Sequence, residues 1–272
     1  MLPKMNDNFA AFIEPARYKR GGLRLALALI TLMVLYAILS IGVILAFVGI
    51  ESAQTGLDLE TAFAIIGAGL AEPNTPGEMI IVLSTFFAML GAVWLTTLMF
   101  RRQGLRHLIG PAPVLRNFAT AVLVMLPLTL IGFGLSLWSG DAILNLPLST
   151  WLIWMLPALP LLLVQVSSEE LIFRGYLMQE LAVRFKSRWI WFLLPSFIFG
   201  CLHYDPARMG SNALYIVAVT PFFGIITADV TVRTGNLGAA IGLHFMNNLQ
   251  AMMLISLNGT LNSLSLYVTK TH

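Results

Sequence analysis

Charged residues are scarce in this sequence. Asp, Glu, Lys and Arg make up 11% of its 272 residues, whereas soluble domains carry about 25%. The mean hydropathy is +0.83, and 58% of the residues are hydrophobic. These values exclude a soluble globular protein. They predict an all-α, polytopic membrane helical bundle, with about seven to eight transmembrane helices around an intramembrane polar cavity.

Cysteine is also nearly absent, since Cys201 is the one thiol in the chain and an internal disulfide is therefore excluded. On the helix that we expect around it, Cys201 points away from His203, and we interpret it as a buried small hydrophobe. The net charge of +3 does not indicate a nucleic-acid partner, because the basic residues lie in short loops between apolar runs.

Lys and Arg are missing from the loop between the first two long apolar runs, which carries five carboxylates between Glu51 and Glu78. Basic residues instead collect in the N-terminal arm and in two later loops. They include Arg17, Lys19, Arg20, Arg24, Arg101, Arg102, Arg106, Arg116, Arg184, Lys186 and Arg188. By the positive-inside rule, we expect a cytoplasmic N-terminus and an external acidic loop, in the plasma (inner) membrane.

In chain order, the pattern predicts a polar arm at residues 1–24, three spans within 25–140, a core of four spans within 141–257 and a tail at 258–272. An eighth short element in the tail stays open. The first run is too long for a cleaved signal peptide. We expect the seven spans at residues 25–50, 79–100, 117–140, 151–166, 189–204, 209–228 and 236–257.

Two features within these segments carry further expectations. Residues 61–71 are apolar but too few to cross a bilayer, which favours an interfacial or re-entrant helix. Pro157 and Pro160 lie inside the fourth span. Because proline removes a backbone donor, they predict a kink in that helix or its starting point.

No charged residue occurs between Ala142 and Ser168, and two adjacent carboxylates, Glu169 and Glu170, then stand at the edge of this apolar segment. An ionised group inside a bilayer costs on the order of 3 kcal/mol by insertion scales. Glu170 precedes Arg174 by four residues, the favourable orientation for a helical ion pair. Neutralisation by Arg174 and lipid headgroups at a helix end is the structural alternative to a functional site.

Histidines stand in two later apolar spans. His244 and Asn248 share one face of a helix, as do Phe199 and His203, because each pair is four residues apart. Single intramembrane histidines commonly form interhelical hydrogen bonds. One Glu, two His and one Asn on three helices are nevertheless costly to bury for that purpose alone.

The distances along the chain allow these groups to meet. Glu169 lies 17 residues before Lys186, and His203 lies 17 residues after it. In an antiparallel helical hairpin that turns at Lys186, the two side chains return to the same depth.

Three spaced motifs, Glu169-Glu170-x-x-x-Arg174, Phe199-x-x-x-His203 and His244-x-x-x-Asn248, occur in this order on separate apolar spans. Together they resemble the motif set of the CPBP family, the intramembrane glutamic endopeptidases that include CAAX prenyl endopeptidases and bacteriocin-processing, Abi-like relatives. The resemblance covers residues 151–257.

The resemblance implies an intramembrane endopeptidase with Glu169 as general base on a water held with His203. It further implies that Glu170 and Arg174 orient this base and that His244 and Asn248 donate to the oxyanion. Phe173 and Phe199 are expected to contact the substrate. That substrate would be a membrane-associated protein or peptide, lipidated or not, and no cofactor is expected.

Alternatives remain open. One Glu and two His are also a zinc ligand set, although the sequence has no His-Glu-x-x-His motif. A non-enzymatic protein is the other alternative, either a peptide-binding or immunity protein or a proton-coupled transporter. The lack of an internal repeat lowers the transporter interpretation. Other intramembrane protease types fit poorly, because no Gly-x-Ser-x-Gly surrounds Ser167 or Ser168.

Overall fold

A computed structural model describes residues 6–17, 21–111, 113–210, 212–258 and 261–270, without the side chains of residues 207, 208 and 212. Lys19 and Arg20, two of the basic residues assigned to the N-terminal arm, lie outside the described residues. Helices dominate the described part, and the strands are few and short. The predicted all-α membrane bundle is therefore confirmed.

The α-helices of the described residues are numbered in chain order. They are α1 (Asp7–Ile13), α2 (Gly22–Thr55), α3 (Leu59–Ala71), α4 (Pro76–Ser84), α5 (Phe86–Arg101), α6 (Arg106–Ile109), α7 (Val114–Trp138), α8 (Leu148–Glu170), α9 (Met178–Ala182), α10 (Leu194–Cys201), α11 (Pro206–Met209), α12 (Asn212–Thr234) and α13 (Gly238–Leu249). A 3₁₀ turn at Glu14–Arg17 follows α1. The described residues also include three π-helical segments, which are π1 (Leu171–Leu177), π2 (Trp189–Leu193) and π3 (Gln250–Leu254).

Five helical segments within the described ranges are long and apolar enough to cross a membrane. They are Gly22–Thr55, Pro76–Arg101, Val114–Trp138, Leu148–Ala182 and Ala213–Thr234. Their large apolar side chains are widely exposed, Trp138 at 86% and Leu156 at 81%. Apolar surface of this extent requires lipid around it, and the chain is an integral membrane protein.

Five of the seven predicted spans meet this length. The predicted span at residues 189–204 is the shorter helix Trp189–Cys201, and the one at residues 236–257 ends its helical part at Leu254. Apolar composition continues beyond both helices into a turn and a strand, so a hydropathy pattern overestimates their length. The apolar segment at residues 61–71, predicted to be an interfacial or re-entrant helix, forms α3, and its place in the membrane stays a prediction.

The prolines of the fourth span do not mark its start. Helix α8 begins at Leu148 and continues through Pro157 and Pro160 to Glu170. Pro127 and Pro221 likewise lie inside α7 and α12. Prolines are tolerated in membrane helices because neighbouring groups satisfy the backbone atoms that they free.

The chain folds into two compact units, each assembled from three stretches. The first unit takes its described residues from Met1–Leu32, Val93–Leu126 and Val166–Met246. The second takes them from Met33–Ala92, Pro127–Gln165 and Asn247–His272. The division by chain order that the sequence suggested stays a prediction.

The first unit contains a folded helix within the predicted polar arm. Asn6 caps α1 by accepting a hydrogen bond from the backbone N–H of Phe9 at 2.8 Å. Phe9 and Phe12 are fully buried, and the Phe9 ring stacks on Trp191 with centroids 5.0 Å apart. The arm is therefore packed into the unit, which its short length and mixed composition did not predict.

Helices α10 and α12 approach closely in the same unit because glycines face the partner helix. A Cβ atom at Gly200 would overlap the ring of Pro221, and one at Gly224 would lie 2.9 Å from the Cβ of Ser196. Small residues at such crossings let the backbones of membrane helices come together.

The second unit shows strong capping at its two short helices. Asp58 caps α3, accepting from the backbone N–H and the hydroxyl of Thr61, both at 2.9 Å. These hydrogen bonds lower the pKa of Asp58. At α4, Thr75 and Glu78 form a capping box with Pro76 in the first turn.

A small sheet in the second unit was not predicted. Strand β3 (Tyr267–Thr269) lies between β1 (Ala142–Leu144), antiparallel to it, and β2 (Ile255–Ser256), parallel to it. Each strand has two or three residues, and the partners lie more than 100 residues apart for β1 and β3. Such pairing leaves no periodicity in the sequence.

Candidate active site

The acidic motif lies where α8 passes into π1. Glu170 and Arg174 are fully buried, and Glu169 is 8% exposed. Nη1 of Arg174 donates to Oε1 of Glu170 at 3.1 Å, so the predicted ion pair is formed. Glu170 is therefore neutralised inside the protein by Arg174, out of reach of lipid headgroups.

His244 contacts both carboxylates, an arrangement that its position in the sequence did not reveal. Its Nδ1 lies 2.9 Å from Oε1 of Glu170, and its Nε2 lies 3.5 Å from Oε2 of Glu169. The residue is 2% exposed. Oε1 of Glu170 therefore accepts from an arginine and a histidine, and the imidazole lies between adjacent carboxylates.

His203 is oriented by its own helix turn. Its Nδ1 lies 2.7 Å from the carbonyl oxygen of Phe199. A carbonyl oxygen only accepts, so Nδ1 carries the hydrogen in this bond. In the neutral imidazole, Nε2 is then the free acceptor and can take a hydrogen bond from a water molecule.

Phe199 connects the two histidines. Its ring centroid lies 4.5 Å from that of His203 and 5.7 Å from that of His244, both in edge geometry. Phe173 packs against the same ring at 5.1 Å, and the guanidinium carbon of Arg174 lies 4.8 Å from its centroid. The Phe173 contact brings together the two arms of the predicted helical hairpin.

Buried aromatic rings surround the polar side chains of the site. Phe173 is 6% exposed and Phe199 is 2% exposed, so both hold the polar groups in an apolar surrounding. Phe223 packs on His244 at 5.4 Å between centroids. Nothing in the sequence distinguishes Phe223 from the other aromatic residues of the spans. Substrate contact by Phe173 and Phe199 stays a prediction.

The charged cluster has unused hydrogen-bonding capacity. Within the described part of the chain, Nε and Nη2 of Arg174 and Oε2 of Glu170 are buried without a hydrogen-bond partner. Buried polar atoms are nearly always paired in folded proteins, and exceptions concentrate at functional sites. A Cβ atom at Gly224 would lie 2.9 Å from Nη2 of Arg174, so α12 passes directly beside the guanidinium.

Asn248 belongs to the second compact unit, where its Nδ2 donates to Oε1 of Gln165 at 3.2 Å. Sequence reasoning missed Gln165. The signal was present, since Gln165 is a polar residue in an apolar run and precedes Glu169 by four positions. The predicted role of Asn248 toward an oxyanion stays a prediction.

Two further expectations concern sulfur and metal. Cys201 is exposed on α10, so its interpretation as a buried residue is wrong; the apolar helix that carries it leaves the thiol on the surface. Across the described ranges, no three His, Cys, Asp or Glu side chains are grouped as metal ligands.

Comparison with known proteins relates one segment of the chain to a protease family. Residues 149–250 match the family model described as type II CAAX prenyl endopeptidase Rce1-like. The uncharacterized protein YyaK of Bacillus subtilis (strain 168) is 32% identical over 105 residues. That alignment covers 38% of this chain and 35% of YyaK, so the chain spans about a third of the length of this relative.

No solved structure matches the chain. The matched segment contains Glu169, Glu170, Arg174, His203 and His244. Residues 149–250 of this chain are therefore similar to the Rce1-like family.

Proposed function

We propose that the protein is an intramembrane endopeptidase of the CAAX-protease type. The observation that carries this proposal is the buried contact of His244 with both Glu169 and Glu170, inside the segment that matches the Rce1-like family. Intramembrane ionisable groups are expensive and generally functional. A purely structural cluster would need only the Glu170–Arg174 pair.

In this proposal, Glu169 is the general base. A water molecule held between Glu169 and Nε2 of His203 loses a proton to the carboxylate as its oxygen attacks the peptide carbonyl carbon. The carbonyl becomes a tetrahedral oxyanion. When the C–N bond breaks, the proton passes from Glu169 to the leaving nitrogen, which departs as an amine, and the carboxyl product retains the oxygen of water.

His244 and Asn248 are the proposed oxyanion donors. His244 places Nδ1 against Glu170 and Nε2 beside Glu169, so Nε2 is the ring nitrogen that faces the proposed oxyanion. A fixed donor aimed at a developing oxyanion contributes roughly 3 to 4 kcal/mol to lowering the barrier. Glu170 and Arg174 hold the imidazole and the base in place.

The proposed substrate is a peptide bond of a membrane-associated protein or peptide, lipidated or not. Glu169 and Glu170 lie within the membrane-spanning segment Leu148–Ala182, where a substrate that shares the bilayer can reach them. The proposed orientation has a cytoplasmic N-terminus in the plasma (inner) membrane, because Arg17, Arg102 and Lys186 lie in segments of one side by the positive-inside rule.

The test is cleavage of a quenched, membrane-anchored peptide library by purified protein in detergent. Glu169→Gln should abolish cleavage, because the amide cannot accept the proton of water. Glu60→Gln is the matched control, since Glu60 is an exposed carboxylate on α3, and it should keep full activity. Cleavage retained in Glu169→Gln would refute the assigned base.

Two further results of this cleavage assay would favour the alternative functions. Activity that is lost in chelator and restored by zinc would favour a zinc enzyme that uses the same histidines. No cleavage by folded wild-type protein under any condition would favour a peptide-binding protein or a transporter.

A further inference from the structure

A second buried charged cluster lies in the first compact unit, apart from the contacts of Glu169. It centres on Arg101, the last residue of α5, which is 5% exposed. Nε of Arg101 donates to Oε1 of Glu180 at 2.6 Å, and Nη1 donates to Oε1 of Gln179 at 2.7 Å. Nη2 donates to the backbone carbonyl of Tyr176 at 3.2 Å. Every nitrogen of this guanidinium therefore has a partner.

Further contacts with neighbouring residues hold the Arg101 cluster in place. The guanidinium carbon of Arg101 lies 4.4 Å from the ring centroid of Tyr176. Glu180 also pairs with Arg184 through its second oxygen. Nε2 of Gln179 donates to the carbonyl of His107 at 3.1 Å. The sequence places Arg101 among the basic residues that flank a loop, and its burial among these partners indicates a fixed position.

All three hydrogen-bond partners of Arg101 lie at one end of π1. Tyr176 is inside π1, and Gln179 and Glu180 are in the first turn of α9, directly after it. At the other end of π1, Glu170 is the last residue of α8. The π segment thus lies between the Arg101 cluster and the acidic motif.

The geometry of π1 sets how the residues after it are rotated about the helix axis relative to the acidic motif before it. A π-helical segment is wider than an α-helix, is intrinsically rare, and is frequently found at functional sites. At its end, the backbone N–H of Met178 donates to the carbonyl of Phe173, five residues earlier. If this segment relaxed to α geometry, the residues after it would rotate by roughly 100° relative to those before it, so Glu170, Arg174 and Tyr176 could not all keep their present partners.

We propose that Arg101 is a positioning residue that holds π1 in its wide form and thereby keeps Arg174 and Glu170 in register with His244. It does so by fixing the Tyr176 carbonyl and the two polar side chains that follow. This inference rests on the proposed function for its kinetic test, while the conformation of π1 is measured independently.

Arg101→Ala should lower kcat by about 10- to 100-fold with little change in KM, because small displacements of catalytic groups cost that much in rate. Arg101→Lys keeps the charge but lacks the planar fork, and its kcat should lie between those of Arg101→Ala and wild type. The matched control is Arg106→Ala, which removes an exposed arginine of the next helix and should leave kcat unchanged.

Hydrogen exchange followed by mass spectrometry provides the second readout. In Arg101→Ala, backbone exchange should accelerate in peptides covering residues 171–182 and stay at the wild-type rate in α12. Guanidinium chloride below denaturing concentration should restore part of the activity of this variant, because the free ion can occupy the place of the missing side chain. It should not restore Glu169→Gln.

The kinetic and exchange measurements distinguish failure of the Arg101 proposal from failure of the proposed function. A folded Arg101→Ala protein with wild-type kcat, or with unchanged exchange in residues 171–182, overturns the proposal, and so does faster exchange spread over the whole chain. If Arg101→Ala does not fold, Arg101→Lys and Glu180→Gln are judged by the same two readouts. If the wild-type protein cleaves nothing, the proposed function fails, and exchange alone decides whether Arg101 holds π1.

Discussion

Glu170 illustrates at the residue scale how a buried charge is held by neighbours from distant parts of the chain. Its Oε1 receives hydrogen bonds from Arg174, four residues later, and from His244, 74 residues later. The local partner follows from helical spacing, whereas the distant one requires the packing of α13 against the motif. A carboxylate fixed by two donors cannot rotate freely, and it fixes both donors in return.

Glu170→Gln should be strongly destabilising because it removes the carboxylate that is paired directly with the fully buried Arg174. Removing one partner of a buried ion pair typically costs about 3 to 5 kcal/mol. Thermal unfolding of the detergent-solubilised protein measures the change. Asp229→Asn is the matched control: it breaks the exposed Asp229–Arg233 pair, and the Tm should hardly move. Equal Tm values for the two variants would contradict the importance of the buried pair.

At the element scale, the contact of α10 with α12 depends on residues without side chains. Gly224 lets α12 pass both Ser196 and the guanidinium of Arg174. The close approach therefore supports the site directly as well as the fold.

Gly224→Ala should displace Arg174 or separate the two helices, since the added Cβ meets atoms at 2.9 Å on two sides. Overpacking of this kind costs about 1 to 3 kcal/mol, and we expect a lower Tm together with slower cleavage. Gly134→Ala on α7 is the control, because no atom lies within 4 Å of its added Cβ. An unchanged Tm and cleavage rate in Gly224→Ala would show that the neighbours give way without consequence.

Helix α1 gives a second prediction at this scale. Phe9 is fully buried and stacks on Trp191, so Phe9→Ala should create a cavity and destabilise the protein by about 3 to 5 kcal/mol. Chemical denaturation and tryptophan fluorescence both report this change. Leu23→Ala serves as control, because Leu23 is 76% exposed. If Phe9→Ala were as stable as Leu23→Ala, the N-terminal helix would not contribute to the packed unit.

At the scale of the whole molecule, the distribution of charge predicts the orientation in the membrane. The stretch around α3 carries acidic residues and no Lys or Arg, whereas Lys186 and Arg188 lie in a basic turn. Such asymmetry of Lys and Arg predicts which segments remain in the cytoplasm.

A cysteine-labelling experiment tests this orientation after Cys201 has been replaced by Ser. Glu60→Cys should react with a membrane-impermeant maleimide in intact cells, whereas Lys186→Cys should react only after permeabilisation. Both native side chains are exposed, so accessibility within the protein does not limit labelling. The reverse pattern would place the N-terminus outside and contradict the proposed orientation.

The sequence by itself determined the class of this protein, because low charge and long apolar runs have one physical interpretation in water and lipid. It also determined the Glu170–Arg174 pair and the shared faces of Phe199 with His203 and of His244 with Asn248. These relations are local, and a helix fixes the direction of residues four positions apart.

Only the tertiary structure decided which of these faces meet. His244 against both carboxylates, Phe199 between the two histidines, Arg101 buried on Glu180 and the β1–β3 pairing all join residues that are distant in sequence. An apolar helix in lipid has no amphipathic stripe to indicate its partner. Its contacts depend on small residues and on a few buried polar groups, whose complementarity exists only when the helices are packed together.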